Sequence, residues 1–401
     1  MATTTDQLEQ SAPQRLGFEF HGSGGEYFKI WIVNILLTLL TLGIFSAWAK
    51  VRRMRYFYGN LSLGDQTFTY LADPVAILKG RIIAFSLFVL FWAGWNFLPA
   101  TAMGLLVIGT LLIPAILVAS WRFRMRYSAY RNIRFNFPCR FSTAYRAFLS
   151  PLVIILAITG ILYGGLHLLD PATLTEIMTS NAGGEVPDDF RATPEDFLLS
   201  LVYLVALPFV PFLDCLRVRL LVNHSYYGNL AASARIGGGS FYRVYLVGFL
   251  LMGAITTLAM IIIFGAGFVA GMLVGEAGEA LLPLGIFIAV LLIYGCAIYS
   301  GGYFRAERTN LIYDNIHFGE ARVRSHLEFH PVGKIYATNT LAIGLSLGLL
   351  IPWAQVRMAR YVASVSALEA QSLDNILSAD AQNENALGEG MIDAFDLDLG
   401  L

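Results

Sequence analysis

Eight apolar blocks constrain this chain more than any other feature: 27–49, 82–98, 101–121, 150–169, 197–216, 244–274, 281–300 and 335–354. Roughly 18–25 residues of helix cross a hydrocarbon core of about 30 Å. Of all residues 56% are hydrophobic and only 14% are charged, well below the quarter or so usual in soluble domains. The fold class expected is therefore an all-α polytopic membrane protein. Its parts are three transmembrane helix hairpins (the six blocks from 82 to 300), two terminal apolar segments, and small cytoplasmic β-hairpins.

The net charge of −1 hides a strong segregation. The connections 50–81, 122–146, 217–243 and 305–334 hold 22 of the 27 Lys and Arg, whereas 170–197 holds seven acids and one Arg. Basic loops stay in the cytoplasm, so the three hairpins are expected to have cytoplasmic feet and outward tips. No positive n-region precedes an apolar core near the start, so a cleaved signal peptide is not expected. Residues 1–26 read as an N-terminal segment, 27–368 as the membrane domain, and 369–401 as an acidic, disordered tail.

The basic connections share a spacing: Lys50–Tyr58–Asn60, Arg122–Tyr130–Asn132, Arg219–Tyr227–Asn229 and Arg305–Tyr313–Asn315. After it, NLSLGDQTFTY (60–70) and NIHFGEARVRS (315–325) alternate around Gly-Asp or Gly-Glu, as a short β-hairpin does. Each foot is thus expected to be a basic helical extension followed by a small hairpin. Four such hairpins could pair into a collar. Tyr and Arg at such positions serve as interfacial anchors, and they also offer a surface for anionic headgroups.

The terminal segments are duplicated. Residues 18–56 resemble 327–361, and at an offset of 305 thirteen of the 28 positions from Lys29/Lys334 to Tyr56/Tyr361 are identical. If 335–354 crosses once, Arg357 and Arg360 fall on the opposite face from their counterparts Arg52 and Arg55. That conflicts with the positive-inside tendency. Both segments carry helix-breaking points, Gly43 and Gly348, so re-entrance is favoured over two single spans, which would give eight crossings. Paired, interrupted segments of this kind point to a binding site. The candidates are Asn34 and Asn339 at membrane depth, with Lys29, Trp48, Arg52, Arg55, Lys334, Trp353, Arg357 and Arg360 around them.

The stretch FHGSGGEYFKIWIVN…LTLGIFSAWAKVRRMRYFYGN resembles the YjgN family of bacterial inner-membrane proteins, a family defined by a domain of unknown function. The resemblance runs from about Phe18 to about Ala367. It implies a multi-pass inner-membrane protein and no particular activity.

Catalytic motifs are missing: there is no nucleophile elbow, phosphate-binding Gly-Lys-Ser/Thr loop, His-Glu-x-x-His or Cys-x-x-Cys. No enzyme activity, metal, cofactor or nucleic-acid partner is expected. His317, His326 and His330 lie close in sequence but on strand-like flanks. Cys139, Cys215 and Cys296 read as packing residues. Gly160/Gly164 and Gly267/Gly271/Gly275 read as close helix contacts. Two functions stay open: a transporter or channel for a small solute or lipid, with its site between the two copies, or a structural protein whose basic surface binds anionic lipids.

Overall fold

The computed structural model describes residues 14–131, 133–167, 194–228, 230–274 and 276–370. At its centre is a feature that the all-α expectation lacks: a closed barrel of ten antiparallel strands. The strands are β1 (Gln14–Phe20), β2 (Leu61–Leu63), β3 (Gln66–Tyr70), β4 (Ser128–Tyr130), β5 (Ile133–Asn136), β6 (Tyr226–Tyr227), β7 (Leu230–Ala234), β8 (Ile316–Phe318), β9 (Ala321–Ser325) and β10 (Ser366–Ala370). Each pairs with its neighbour in sequence, and β1 pairs with β10 to close the ring. The hairpins read from alternation are real but do not stand alone. Single two-stranded hairpins are marginal in water, and closure removes every exposed edge.

In an up-and-down barrel the connections fall alternately at the two ends. At one end lie four two-residue loops, whose first residues Gly64, Arg131, Gly228 and Gly319 all have positive φ (61°, 49°, 53° and 57°). At the other end the chain leaves as helical pairs. These are α1 (Gly24–Leu40) with α2 (Ser46–Gly59), α3 (Pro74–Phe97) with α4 (Pro99–Tyr127), and α5 (Phe141–His167) with α6 (Pro194–Ala206) and α7 (Val210–Asn223). Then come α8 (Gly238–Val274) with α9 (Glu276–Tyr313), and α10 (Phe329–Leu345) with α11 (Ile351–Ser364). The chain is thus five strand–helix–helix–strand units in a ring.

Every unit is latched to the next in the same way. A side chain on the returning helix donates to the carbonyl of the residue just past the next unit's first strand. Arg55 reaches Ala72 O (3.5 Å), Arg122 reaches Cys139 O (2.6 Å), Arg219 reaches Ile236 O (2.8 Å) and Asn310 reaches Leu327 O (2.8 Å). The fifth latch joins the chain's two ends: Arg360 reaches Gly22 O at 2.9 Å.

These latches correct the register of the Tyr-x-Asn repeat. Arg122 and Arg219, matched in sequence to Lys50 and Arg305, are equivalent in structure to Arg55 and Asn310, five residues further on. Tyr58 and Tyr313 therefore lie near helix ends, where Asn60 caps α2 and donates to Tyr56 O (2.8 Å), and Asn315 donates to Leu311 O (2.8 Å). Tyr130 and Tyr227 instead close strands before the tight turns. Asn132 and Asn229 lie outside the described residues.

Side chains fill the barrel. Phe68 packs on Tyr130 (4.8 Å between centroids) and Phe135 on Tyr227 (6.3 Å). Tyr130 Oη donates to Leu63 O at 2.7 Å. Glu369 and Ala370 belong to β10, so the barrel runs past the expected domain limit of 368, and β1 lies in the expected N-terminal segment. The rest of the acidic tail, from 371, and most of the acidic 170–197 connection lie outside the described residues.

Among the described residues, six helical stretches are long and apolar enough to cross a membrane: 74–97, 104–127, 141–165, 200–223, 238–265 and 285–313. Between 0 and 17% of the residues in their most apolar windows are buried inside the protein, so these helices present most of their surface outward.

The terminal segments behave differently. α1 leaves β1 and α2 returns to β2, so both ends of the 27–49 block are held at the barrel; α10 and α11 do the same between β9 and β10. Neither block is one unbroken helix running away from the barrel. Each turns through the same Schellman motif. Gly43 N donates to Thr38 O (2.7 Å) and Gly348 N to Ile343 O (2.8 Å), with Leu42 and Leu347 in the left-handed region at φ 50° and 51°. These two leucines are 95% and 94% exposed. An αL leucine costs about 1–2 kcal/mol, yet both copies hold one at the tip.

Close helix contacts occur away from the expected glycines. A Cβ on Gly160, Gly164, Gly267 or Gly271 would meet nothing within 4 Å, and Gly275 lies outside the described residues. The close approach is between α9 and α10, where a Cβ on Gly302 would sit 2.6 Å from the Gly333 backbone. Gly302→Val is therefore expected to push these helices apart and cost about 1–3 kcal/mol. A thermal melt in detergent checks this, with Gly160→Val as the neutral comparison.

Candidate functional site

A cavity of about 720 Å³ lies at the base of the first short pair, where α1 and α2 meet α3 and α11. Its volume falls within the range of ligand pockets, about 300–1,000 Å³. Three cations line it: Lys50 and Arg53 from α2, and Arg81 from α3. Tyr27, Trp31, Asn34 and Thr38 come from α1, and Gln355 comes from α11; no acid is among the lining residues. Helix geometry assembles the cationic wall, because Lys50 and Arg53 are three apart and share a face. The start of α3 is fixed by Asp73, whose carboxylate accepts from Val75 N at 3.0 Å ahead of Pro74. Seven residues on, Arg81 donates to the Ser46 hydroxyl. Burial pushes the Tyr27 phenol up to about 12, and the nearby Arg53 guanidinium opposes that shift.

Three buried polar atoms on this wall have no hydrogen-bond partner within the protein: Asn34 Oδ1, Arg53 Nε and Gln355 Oε1. Asn34 is 7% exposed and Gln355 5%. Buried polar groups are almost always paired, and leaving one unpaired costs about 1–3 kcal/mol.

The duplicated copy shows how such a position is otherwise satisfied. Asn34 Nδ2 donates to Ala49 O (3.4 Å) and Asn339 Nδ2 to Ala354 O (3.2 Å), the same bond at the same offset. In the second copy Arg357 Nη1 donates to Asn339 Oδ1 (3.2 Å) and to Thr338 (2.7 Å). In the first copy the counterpart Arg52 sits over the Phe45 ring at 5.5 Å, and Asn34 Oδ1 is left without a hydrogen-bond partner among the described residues.

The structure therefore divides the residues singled out in sequence. Asn34 lines the cavity, and Lys50, taken for a foot residue, joins it there. Lys29, Arg52 and Arg55 line a second, more open groove of about 510 Å³ on the other side of the α1–α2 pair. Arg55, Arg122, Arg219 and Arg360 are latches, and Arg305 is buried at 5% exposure. Trp353 packs on Phe28 (5.1 Å) and against Gly24, Trp48 stacks by Phe45 (6.1 Å), and Lys334 is exposed. Asn34 and Asn339 each bond within their own helix pair. Among the histidines, His330 Nδ1 bonds Tyr299 Oη at 2.7 Å and His317 Nδ1 lies 3.1 Å from Asn315 O.

Arg53, Arg81 and Gln355 were missed. The signal for two of them lay in the duplication, where Lys50 faces Gln355 and Arg53 faces Met358 across copies that otherwise match closely. Arg81 gave no local signal, because it reaches the cavity only through the packing of α3.

Barrel, lipid-facing helices and cationic cavity together define a multi-pass helical membrane protein built on a small β-barrel. The chain belongs to the family described as "Bacterial protein of unknown function (DUF898)", whose model matches residues 15–394. It is similar to proteins named "Inner membrane protein YjgN". The one from Salmonella typhimurium is 26% identical over 369 residues, covering 86% of each chain. Those from Escherichia coli O157:H7 and K12 are each 23% identical and cover 85% of each chain. No solved structure matches the chain.

Proposed function

We propose that this protein is a lipid-binding membrane protein that holds an anionic headgroup in the cavity between α1, α2, α3 and α11. One observation carries this reading: three cations, no acid and a set of unpaired buried polar atoms meet in one cavity beside the apolar stretch of α3. The short helical pairs support it. From Lys50 to the start of its helix at Ser46 is four residues, about 6 Å of helix, with the turn at 41–45 beyond it. From Lys29 to the leucine tip is thirteen, about 20 Å. The hydrocarbon core is about 30 Å thick, so the tips reach about one leaflet deep, and the cavity runs from Tyr27 and Arg53 at the base of the pair to Thr38 and Ser46 near its tip. The positive-inside tendency assigns that leaflet, and the barrel, to the cytoplasmic side. A solute pathway between the duplicated segments is less well supported, since Asn34 and Asn339 each bond within their own copy.

Basic residues near a membrane contribute about 1 kcal/mol each toward anionic lipid. Lys50→Gln with Arg53→Gln and Arg81→Gln should therefore weaken retention of anionic lipid about a hundredfold, because 1.4 kcal/mol is a factor of ten. Native mass spectrometry of protein purified from membranes reads the bound lipid. Neutralising the exposed barrel residues Arg134 and Arg322 is the comparison. Equal retention in both variants would overturn the reading.

A further inference from the structure

We infer that the headgroup carries hydroxyl donors next to its phosphate, as phosphoglycerol does, and that Asn34 and Gln355 recognise those hydroxyls. The inference rests on the proposed lipid-binding function and adds the chemistry of the ligand. Lys50, Arg53 and Arg81 account for a phosphate, but they leave two buried amide oxygens unexplained. An amide oxygen accepts hydrogen bonds and cannot pair with a phosphate oxygen, which is itself an acceptor. A ligand matched to this wall therefore brings an anion for the cations and a separate donor for Asn34 Oδ1 and Gln355 Oε1. Terminal amide torsions are soft, so each oxygen can turn to a donor that enters the cavity.

The donor must also be uncharged. An ammonium group, as in phosphoethanolamine, would sit among three cations with no carboxylate on the wall to offset them, and like charges this close repel strongly. A bare phosphate monoester on a lipid offers the anion without the neighbouring hydroxyls. Phosphoglycerol supplies a phosphodiester with hydroxyls on the second and third carbons from the phosphate.

The duplicated copy argues that the open acceptor is specific to this cavity. The fold can satisfy the asparagine internally, as Arg357 does for Asn339 at 3.2 Å. In the first copy the matching arginine lies over Phe45 instead, and Gln355 from the second copy, which also lines the cavity, has an unpaired oxygen of its own. Sites that hydrogen-bond a ligand hydroxyl reject analogues that lack it, because their buried polar groups are then left unpaired.

The test titrates the full-length protein in detergent with short-chain phosphatidylglycerol, phosphatidic acid and phosphatidylethanolamine, read by native mass spectrometry. Phosphatidylglycerol is expected to bind at least about tenfold more tightly than either other lipid, since a lost buried hydrogen bond costs about 1–3 kcal/mol. Asn34→Leu with Gln355→Met should erase that preference, with the larger loss falling on phosphatidylglycerol. Asn339→Leu removes the same helix–helix bond in the other copy and should leave the preference intact, which separates recognition from folding. Equal binding of phosphatidic acid and phosphatidylglycerol by the wild type would overturn the inference and leave the anionic-lipid reading standing. No binding of either would overturn both. A further arm uses sn-glycerol 3-phosphate as competitor. Competition at the concentrations that saturate with lipid upholds the recognition and assigns it to a soluble ligand; failure to compete upholds it for the lipid.

Discussion

A chain ending after Val365 is expected to lose its fold, whereas one ending after Ala370 keeps it. β10 is only five residues long, yet it is paired on both sides, to β1 from Gln14 to Gly17 and to β9 from Arg322 to Ser325. Deleting it turns both neighbours into open edges, which invite association with other chains. It also removes the buried Ala367, Leu368 and Ala370, and the 3.2 Å ion pair between Glu369 and Arg324. Each backbone hydrogen bond contributes about 0.5–1.5 kcal/mol net, and a domain's whole stability is about 5–15 kcal/mol. A two-sided strand is a large share of that. The Arg360 latch cannot compensate, because Gly22 sits just past β1 and loses its seat when β1 is freed. Size-exclusion profiles of fluorescent fusions in detergent are the measurement. The longer chain should elute as one symmetric peak, and the shorter should aggregate or be degraded. A symmetric peak and an unchanged melt for the shorter chain would show that ring closure contributes little.

What could be read from the sequence follows the range over which each signal acts. The six long helices were legible because hydropathy over about twenty residues is a local property. The 60–70 and 315–325 hairpins were legible from alternation around Gly64 and Gly319. The turn of the short segments could be inferred at Gly43 and Gly348, because the positive-inside conflict at Arg357 and Arg360 favoured a return over a single span. Ring closure was not legible. β6 has two residues and β2, β4 and β8 three each, too short to establish a period, and β1 meets β10 across some 350 residues. The Tyr-x-Asn spacing misled by five residues because Tyr130 and Tyr227 end strands whereas Tyr58 and Tyr313 end helices. The invariant features in space are the latch and the positive-φ turn, and both depend on tertiary contact. Asn34 was found through the duplication, but its cations were assigned to the wrong side of the helix pair. Arg52 and Arg55 face the outer groove, and Lys50 and Arg53 face the cavity.

Asp214→Ala is expected to destabilise the protein by about 3–5 kcal/mol, the cost of breaking a buried ion pair from one side. Asp214 lies on α7 in the third unit and accepts both forks of Arg308 from α9 in the fourth, at 2.6 and 2.7 Å. Their side chains are 11% and 19% exposed. The Tyr245 hydroxyl on α8 donates to the same carboxylate at 3.2 Å, and Arg217 stands 3.8 Å away. One carboxylate thus joins three helices at the foot of two units, where water is largely excluded. Removing it takes away the carboxylate that Arg217 and Arg308 share, and the tyrosine loses its acceptor. The loss should be greater than for the latches, whose donors reach neutral backbone carbonyls and not a buried carboxylate. Asp214→Leu combined with Arg308→Met tests the cause. Replacing both members of a buried pair by apolar residues of similar volume is often neutral, so the double variant should recover most of the loss. A thermal melt in detergent separates the cases. If Asp214→Ala melts within a degree of the wild type, the pair holds nothing together. If the double variant melts as low as the single, the cost comes from packing at the helix feet and not from an uncompensated charge.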